Sequence, residues 1–311
     1  MKLVYMGTPD FAVPPLVSLV EAGHEVAAVV TQPDKPKGRG KAVLMTPVKE
    51  KALSYGIPVY QPVRVKKDEE FLKILREIHP DAIVVAAFGQ ILPKEILELP
   101  RYGCVNIHAS LLPKYRGAAP IQWAVIDGEK ESGITTMMMD VGMDTGDMLE
   151  RLVVPLDQNE TAGSLFDKLS KAGGPLILDT LKKLEEGTAV RTRQPEEGVT
   201  YAGMLDKSFG KIDWSRSAAE IERLIRGLNP WPSAYTKYKE KTMKLWAADV
   251  VDSDDSGDPG QIVRVEKKRF LVQTGNGLLA IKELQLEGKK RMEADAFLRG
   301  VSLNEGEKLG E

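Results

Sequence analysis

Apolar residues in the first half of the chain fall into short runs separated by stretches with helical spacing. The runs at 3–6, 26–31, 58–60, 82–86, 104–108 and 133–139 read as strands, and the intervening patterns at 11–22, 48–55, 68–78, 94–98 and 119–126 read as helices. Strands alternating with helices indicate βαβ units, whose strands pair in parallel because each crossover carries a helix. A longer helical pattern covers 162–186, with Leu165, Leu169, Ile177, Leu181 and Leu184 among its apolar positions. Gly173-Gly174-Pro175 is expected to break or kink it, because proline lacks the N–H and crowds the preceding turn.

From 187 to 206 the periodicity fades into Arg, Gln, Pro and Glu residues, the composition of a connector over a surface. Ser217 and Glu220 then stand at capping-box spacing ahead of Ile221, Leu224, Ile225 and Leu228, and Asn229-Pro230-Trp231-Pro232 ends that helix. Beyond it, 241–251, 260–265, 269–274 and 278–286 read as strands. They are separated by turn signals such as Asp258-Pro259-Gly260 and Gly275-Asn276-Gly277. The expected architecture is α/β: a Rossmann-like, mainly parallel sheet domain over 1–187, a linker over 188–206, and a small C-terminal β-barrel of OB-like type over 207–311.

Composition narrows the class. At 311 residues and 42% hydrophobic content the chain has material for two packed domains. Lys and Arg number 43 against 45 Asp and Glu, so attraction to a polyanion must come from local clustering. The residues from 207 onward carry about +2 and the rest about −4, a mild asymmetry that hints at an anionic partner for the second domain. A single cysteine and three histidines leave no disulfide framework and no His/Cys zinc set. No metal is expected. The reducing cytoplasm fits, and no apolar run approaches the ~18 residues of a membrane span.

The chemistry-bearing positions lie at strand ends. On a strand over 104–108, Asn106 and His108 share one face near the carboxyl end, where open α/β sheets bind ligands. Among apolar neighbours such a pair is either satisfied by hydrogen bonds or used. Met139 to Asp147 leaves the next strand as a loop with Asp140, Asp144 and Asp147 and two glycines, which is either a polar turn or a source of an orienting carboxylate. Cys104 is expected to turn away from this pair and pack. Gly7-Thr8-Pro9 ends the first strand like a nucleotide-binding turn but lacks the G-x-G-x-x-G spacing, so no NAD is expected.

Asn106-Ile107-His108-Ala109-Ser110-Leu111-Leu112-Pro113, Tyr115-Arg116-Gly117 and the Asp144 loop together resemble the 10-formyltetrahydrofolate-dependent formyltransferase family. Gly7-Thr8-Pro9-Asp10-Phe11, Gly38-Arg39-Gly40-Lys41 and Asn229-Pro230-Trp231-Pro232 extend the likeness over nearly the whole chain. The resemblance implies transfer of a formyl group from 10-formyltetrahydrofolate to a primary amine, with Asn106, His108 and Asp144 catalytic. It further implies that Ser110, Leu111, Leu112 and Pro113 contact the folate. The backbone of Phe88, Gly89, Gln90, Ile91 and Leu92 would line the pterin pocket.

Within the family the likeness is closest to members that formylate initiator methionyl-tRNA. A loop between Gln32 and Lys49 carries Lys35, Lys37, Arg39, Lys41 and Lys49 against Asp34. Such a run is either a solvated face or a grip on acceptor-stem phosphates. The resemblance implies that this loop contacts the tRNA and carries over Arg39; Lys41 and Lys37 beside it, and Lys207 of the second domain, are expected from their charge to add phosphate contacts, in a monomer. The same three catalytic residues would serve a formyltransferase acting on a small amine, a ribotide or amino sugar, or a formyl-folate hydrolase. A noncatalytic binding protein would not need all three.

Overall fold

The structure, a computed structural model, describes residues 1–37 and 42–310. Two compact units divide the chain: the first takes 1–120, 131–155 and 166–202, the second 121–130, 156–165 and 203 onward. The helices are α1 (Val13–Glu21), α2 (Pro47–Ser54), α3 (Glu69–Ile78), α4 (Lys94–Leu97), α5 (Pro120–Ile126), α6 (Ala162–Glu186), α7 (Ala218–Gly227) and α8 (Ala294–Gly300).

The first unit is built on seven strands: β1 (Lys2–Gly7), β2 (Glu25–Val30), β3 (Val59–Tyr60), β4 (Ala82–Ala86), β5 (Cys104–His108), β6 (Glu131–Met138) and β7 (Met148–Pro155). They lie in the order β7-β6-β5-β4-β1-β2-β3. Pairings from β5 to β3 are parallel, and β6 and β7 add an antiparallel edge. β1 and β4 are buried along their apolar runs because helices cover both faces of a parallel sheet. The order reverses at β1, so β1 and β4 flank the switch point where such sheets take ligands. β7 was not legible as a strand: Glu150 and Arg151 interrupt its apolar pattern, and Leu152 and Val153 are exposed at the sheet edge.

α6 runs as one 25-residue helix with Pro175 inside it, so the expected break does not occur. The glycines serve approach instead. A Cβ on Gly174 would stand 2.1 Å from Ser18 Oγ and 3.0 Å from Ser18 Cβ, and one on Gly173 would stand 3.3 Å from Ile107 and Pro15. Gly174→Ala should therefore destabilise the protein by about 1–3 kcal/mol through overpacking, read as a lowered Tm. Adding Ser18→Ala should recover part of it. An unchanged Tm in Gly174→Ala would contradict the close packing.

In the second unit, Ser217 and Glu220 form the expected capping box at the start of α7. Its apolar side chains Ile221, Leu224 and Ile225 are buried. The strands β8 (Ala234–Tyr238), β9 (Lys241–Val251), β10 (Ile262–Val265), β11 (Phe270–Gln273), β12 (Leu278–Leu286) and β13 (Met292–Glu293) make one antiparallel sheet. Its order is β8-β9-β12-β11-β10, with β13 on β12. Residues 306–310 join the two outer strands. The Ile262 and Gly306 amides exchange bonds with Glu307 O and Ile262 O at 2.8 Å, and the Gly310 N–H reaches Lys237 O at 2.9 Å. That segment supplies the seam of the expected barrel.

Candidate active site

β5 sits between β4 and β6, with Asn106 opposite Val85 and Met137 and His108 opposite Thr135. The period of the strand puts both side chains on one face. Asn106 is 9% exposed, and its amide takes no protein hydrogen-bond partner among the described residues. Its donors are thus available at the carboxyl end of the sheet. The buried His108 is held differently: Nε2 lies 2.9 Å from the Tyr115 carbonyl oxygen. A carbonyl only accepts, so Nε2 carries the proton. Nδ1 then faces Asp144 Oδ2 at 3.7 Å. That spacing suits an ion pair and exceeds a direct hydrogen bond.

Asp144 lies on the loop after β6, with a left-handed φ of 54° that favours Asn, Asp and Gly. Its Oδ2 accepts the Gly117 N–H at 2.8 Å. Gly117 itself has φ 118°, and a Cβ there would come within 2.8 Å of Ala202 O, so only glycine brings this amide to the carboxylate. Asp140 tightens the same loop, accepting from the Gly142 N–H at 3.0 Å and the Thr145 hydroxyl at 2.6 Å.

The turn after β5 is pinned from within. Ser110 Oγ donates to Lys114 O at 2.6 Å, and buried Thr135 donates to Ser110 O at 2.7 Å while accepting the Leu112 N–H at 3.1 Å. Ser110 and Leu112 are buried, and Leu111 and Pro113 are half-buried. After β4, Phe88 and Leu92 are core side chains, Gly89 has φ 82°, and Ile91 is 75% exposed. Gln90 spends its side chain on Pro62 O and the Val65 N–H at 3.0 and 2.9 Å. The peptide groups of residues 89–92 make no protein hydrogen bond among the described residues. At this sheet end they form an edge of unclaimed donors and acceptors.

Of the basic loop, Arg39 and Lys41 lie outside the described residues. Lys35–Lys37 pairs antiparallel with Ala42–Leu44. Lys49 is committed: it bonds Asp34 and Gln61, and this ammonium holds the Asp34 carboxyl below the ordinary carboxylate range. Lys207 is exposed in the second unit. Cys104 lies on the face of Asn106 and His108 and not opposite it, since 104, 106 and 108 share strand parity. It is nonetheless buried in the apolar core, and burial pushes its thiol up to about 12, which removes a thiolate nucleophile.

Two contributors escaped the sequence reading. Gln194, 6% exposed, donates its amide to Asp144 O and Gly146 O, each at 2.8 Å, and accepts from Arg116 Nε and Nη2 at 3.0 and 2.8 Å. Thr200 accepts the Tyr115 N–H on its hydroxyl at 2.8 Å and the Arg116 N–H on its carbonyl at 2.9 Å. Both lie in the stretch read as a surface connector, where no periodicity signals a buried residue.

The chain has clear relatives. A model described as formyl transferase matches residues 1–181, and one described as formyl transferase, C-terminal domain, matches 204–302. A methionyl-tRNA formyltransferase of Agathobacter rectalis is 57% identical over 306 residues, spanning 98% of each chain. The fold is similar to that of an N-formyltransferase from Helicobacter canadensis in complex with folinic acid and dTDP-3-aminofucose. The TM-score is 0.68 at 19% identity, over 94% of this chain and 100% of that one. HypX from Aquifex aeolicus in complex with tetrahydrofolic acid gives a TM-score of 0.65 at 18% identity over 96% of this chain, which spans 47% of HypX. Those two likenesses speak for the fold; the full-length identity and the two matched models speak for kinship. The chain belongs to the methionyl-tRNA formyltransferase family.

Proposed function

We propose that this chain, acting in the cytoplasm, transfers the formyl group of 10-formyltetrahydrofolate to the amino group of initiator methionyl-tRNA. The observation that carries the reading is the unpartnered Asn106 amide on the same strand face as a His108–Asp144 pair. As the amine nitrogen bonds to the formyl carbon, the carbonyl electron pair moves to oxygen. Asn106 donates a hydrogen bond to that oxygen. The amine must also shed a proton, and the nitrogen leaving the formyl carbon must gain one. His108 serves both needs at Nδ1, the ring nitrogen its Tyr115 bond leaves open, and a proton there faces the Asp144 carboxylate. His108 thus donates to the oxyanion only when Nδ1 is protonated.

The unclaimed peptide groups of 89–92, beside the exposed Ile91, suit a flat heterocycle with a hydrogen-bonding edge. Tetrahydrofolic and folinic acid in the two fold relatives support a folate donor. The turn Ser110 to Pro113 would stand beside it as a stiff wall.

For the acceptor, the relatives' specificity and the cations Lys35, Lys37, Arg39 and Lys41 favour tRNA over a small amine. The decisive assay supplies 10-formyltetrahydrofolate with charged initiator tRNA or with free amines. Formylation of the tRNA is expected; formylation of a small amine alone would overturn the assignment. Arg39→Ala should weaken tRNA binding and lower the slope of log affinity against log salt by about 1 in magnitude. An unchanged slope would return the loop to a solvated face.

A further inference from the structure

The geometry points to residues 194–202 as the frame that positions the catalytic pair, with Gln194 and Thr200 as positioning residues for Asp144 and His108 respectively. This rests on the reading that His108 and Asp144 work together in formyl transfer.

Each member of the pair is held by backbone that this segment grips. His108 is anchored on the Tyr115 carbonyl, and Tyr115 is itself fixed through its N–H to the Thr200 hydroxyl at 2.8 Å. Asp144 is anchored on the Gly117 N–H, and residues 116 and 117 pair in parallel with 201 and 202. The Asp144 loop is held a second time by Gln194, which spans its Asp144 and Gly146 carbonyls. Arg116 saturates the other end of the Gln194 amide. All four hydrogen-bonding positions of that side chain are therefore used, and they connect the His108 side of the site to the Asp144 side.

Energetics favour a positioning role. Asp144 and Tyr115 both hold left-handed φ values, 54° and 60°; Asp adopts that region readily, but an aromatic residue such as Tyr115 keeps it only where its surroundings hold it. The two carbonyl bonds from Gln194 and the Thr200 contact are restraints that reach these residues from the 194–202 segment, beside the Gly117 bond of Asp144 and the Asp140 bonds within its loop. The 3.7 Å gap between Nδ1 and Oδ2 has no direct bond to hold it, so its length is set by the backbone on either side. A shift of about 1 Å in such a constellation can cost about 10²-fold in rate.

Gln194→Met keeps side-chain length and removes all four bonds; Thr200→Val keeps shape and removes the hydroxyl, whereas Thr200→Ser retains it. Both Gln194→Met and Thr200→Val should lower kcat at least about tenfold, with the acceptor KM within about threefold, and Thr200→Ser should recover most of the loss. The pH profile of kcat should move in Gln194→Met and stay in place in Gly174→Ala, whose added methyl crowds Ser18 and touches none of Asn106, His108 or Asp144. If Gln194→Met fails to fold, Gln194→Asn and the Thr200 pair carry the same comparison. Asp144→Asn separates the two levels. Turnover lost in Asp144→Asn but retained in Gln194→Met and Thr200→Val overturns the frame alone; turnover retained in Asp144→Asn overturns the pair and the frame together. A kcat loss in Gln194→Met no larger than Gly174→Ala shows at equal loss of Tm also overturns it.

Discussion

Asp144→Asn should lower kcat by about 10³-fold while leaving the acceptor KM within about threefold. The substitution is nearly isosteric, and Asn tolerates the left-handed φ of 54° at this position. The amide oxygen can still accept the Gly117 N–H now bound at 2.8 Å. What disappears is the negative charge 3.7 Å from His108 Nδ1. Without it a proton at Nδ1 loses its counter-charge, and the transfer between incoming amine and leaving nitrogen loses its relay, a contribution of typically 10²–10⁴-fold. Asp144→Ala should be as slow and also less stable, because Ala keeps neither the carboxylate bond nor the ease at positive φ. Steady-state kinetics with charged tRNA decide the matter: kcat within threefold of the parent in Asp144→Asn would remove Asp144 from the mechanism.

Asn106→Leu is expected to separate activity from stability in the opposite direction. Asn106 is 9% exposed and its amide has no protein partner among the described residues, so the folded chain gains nothing from its polarity. An apolar side chain with the same branched heavy-atom skeleton should leave Tm unchanged or raise it, as expected where a site holds a group for chemistry at the expense of the fold. kcat should fall by about 10²–10³-fold through loss of one oxyanion donor. Thermal melts and kinetics on the same preparation check both halves. A falling Tm with intact kcat would make Asn106 a structural residue.

Much of this was readable from residue order, for reasons that are local. The parallel sheet announced itself because strands buried on both faces must be continuously apolar, as in 3–6 and 82–86. Asn106 and His108 stood out as a pair because strand parity is fixed at two, whereas only the family resemblance singles out Asp144 from Asp140 and Asp147, since the composition of that loop fits a polar turn equally well. Edge strand β7 stayed hidden because one of its faces meets solvent and Glu150 and Arg151 blur its pattern. α6 runs on past Gly173 and Gly174, whose role was hidden because a close approach to Ser18 depends on tertiary contact and looks, in one dimension, like a helix breaker. Gln194 and Thr200 were illegible for the same reason. Their partners Asp144 and Tyr115 lie 50 and 85 residues away, and no spacing within a window of sequence encodes a bond of that range.

The ribbon that pairs 116–117 with 201–202 has a consequence for modularity. By sequence likeness the formyl transferase match ends at 181, before Gln194 and Thr200. Anyone recombining this chain with a homologue's second domain, or trimming it to a minimal enzyme, would naturally cut near that point. Such a chimera would keep every strand of the parallel sheet and all of Asn106, His108 and Asp144, yet inherit its clasp from a different parent. Crossovers placed after Ala202 keep the clasp and the residues it grips in one lineage.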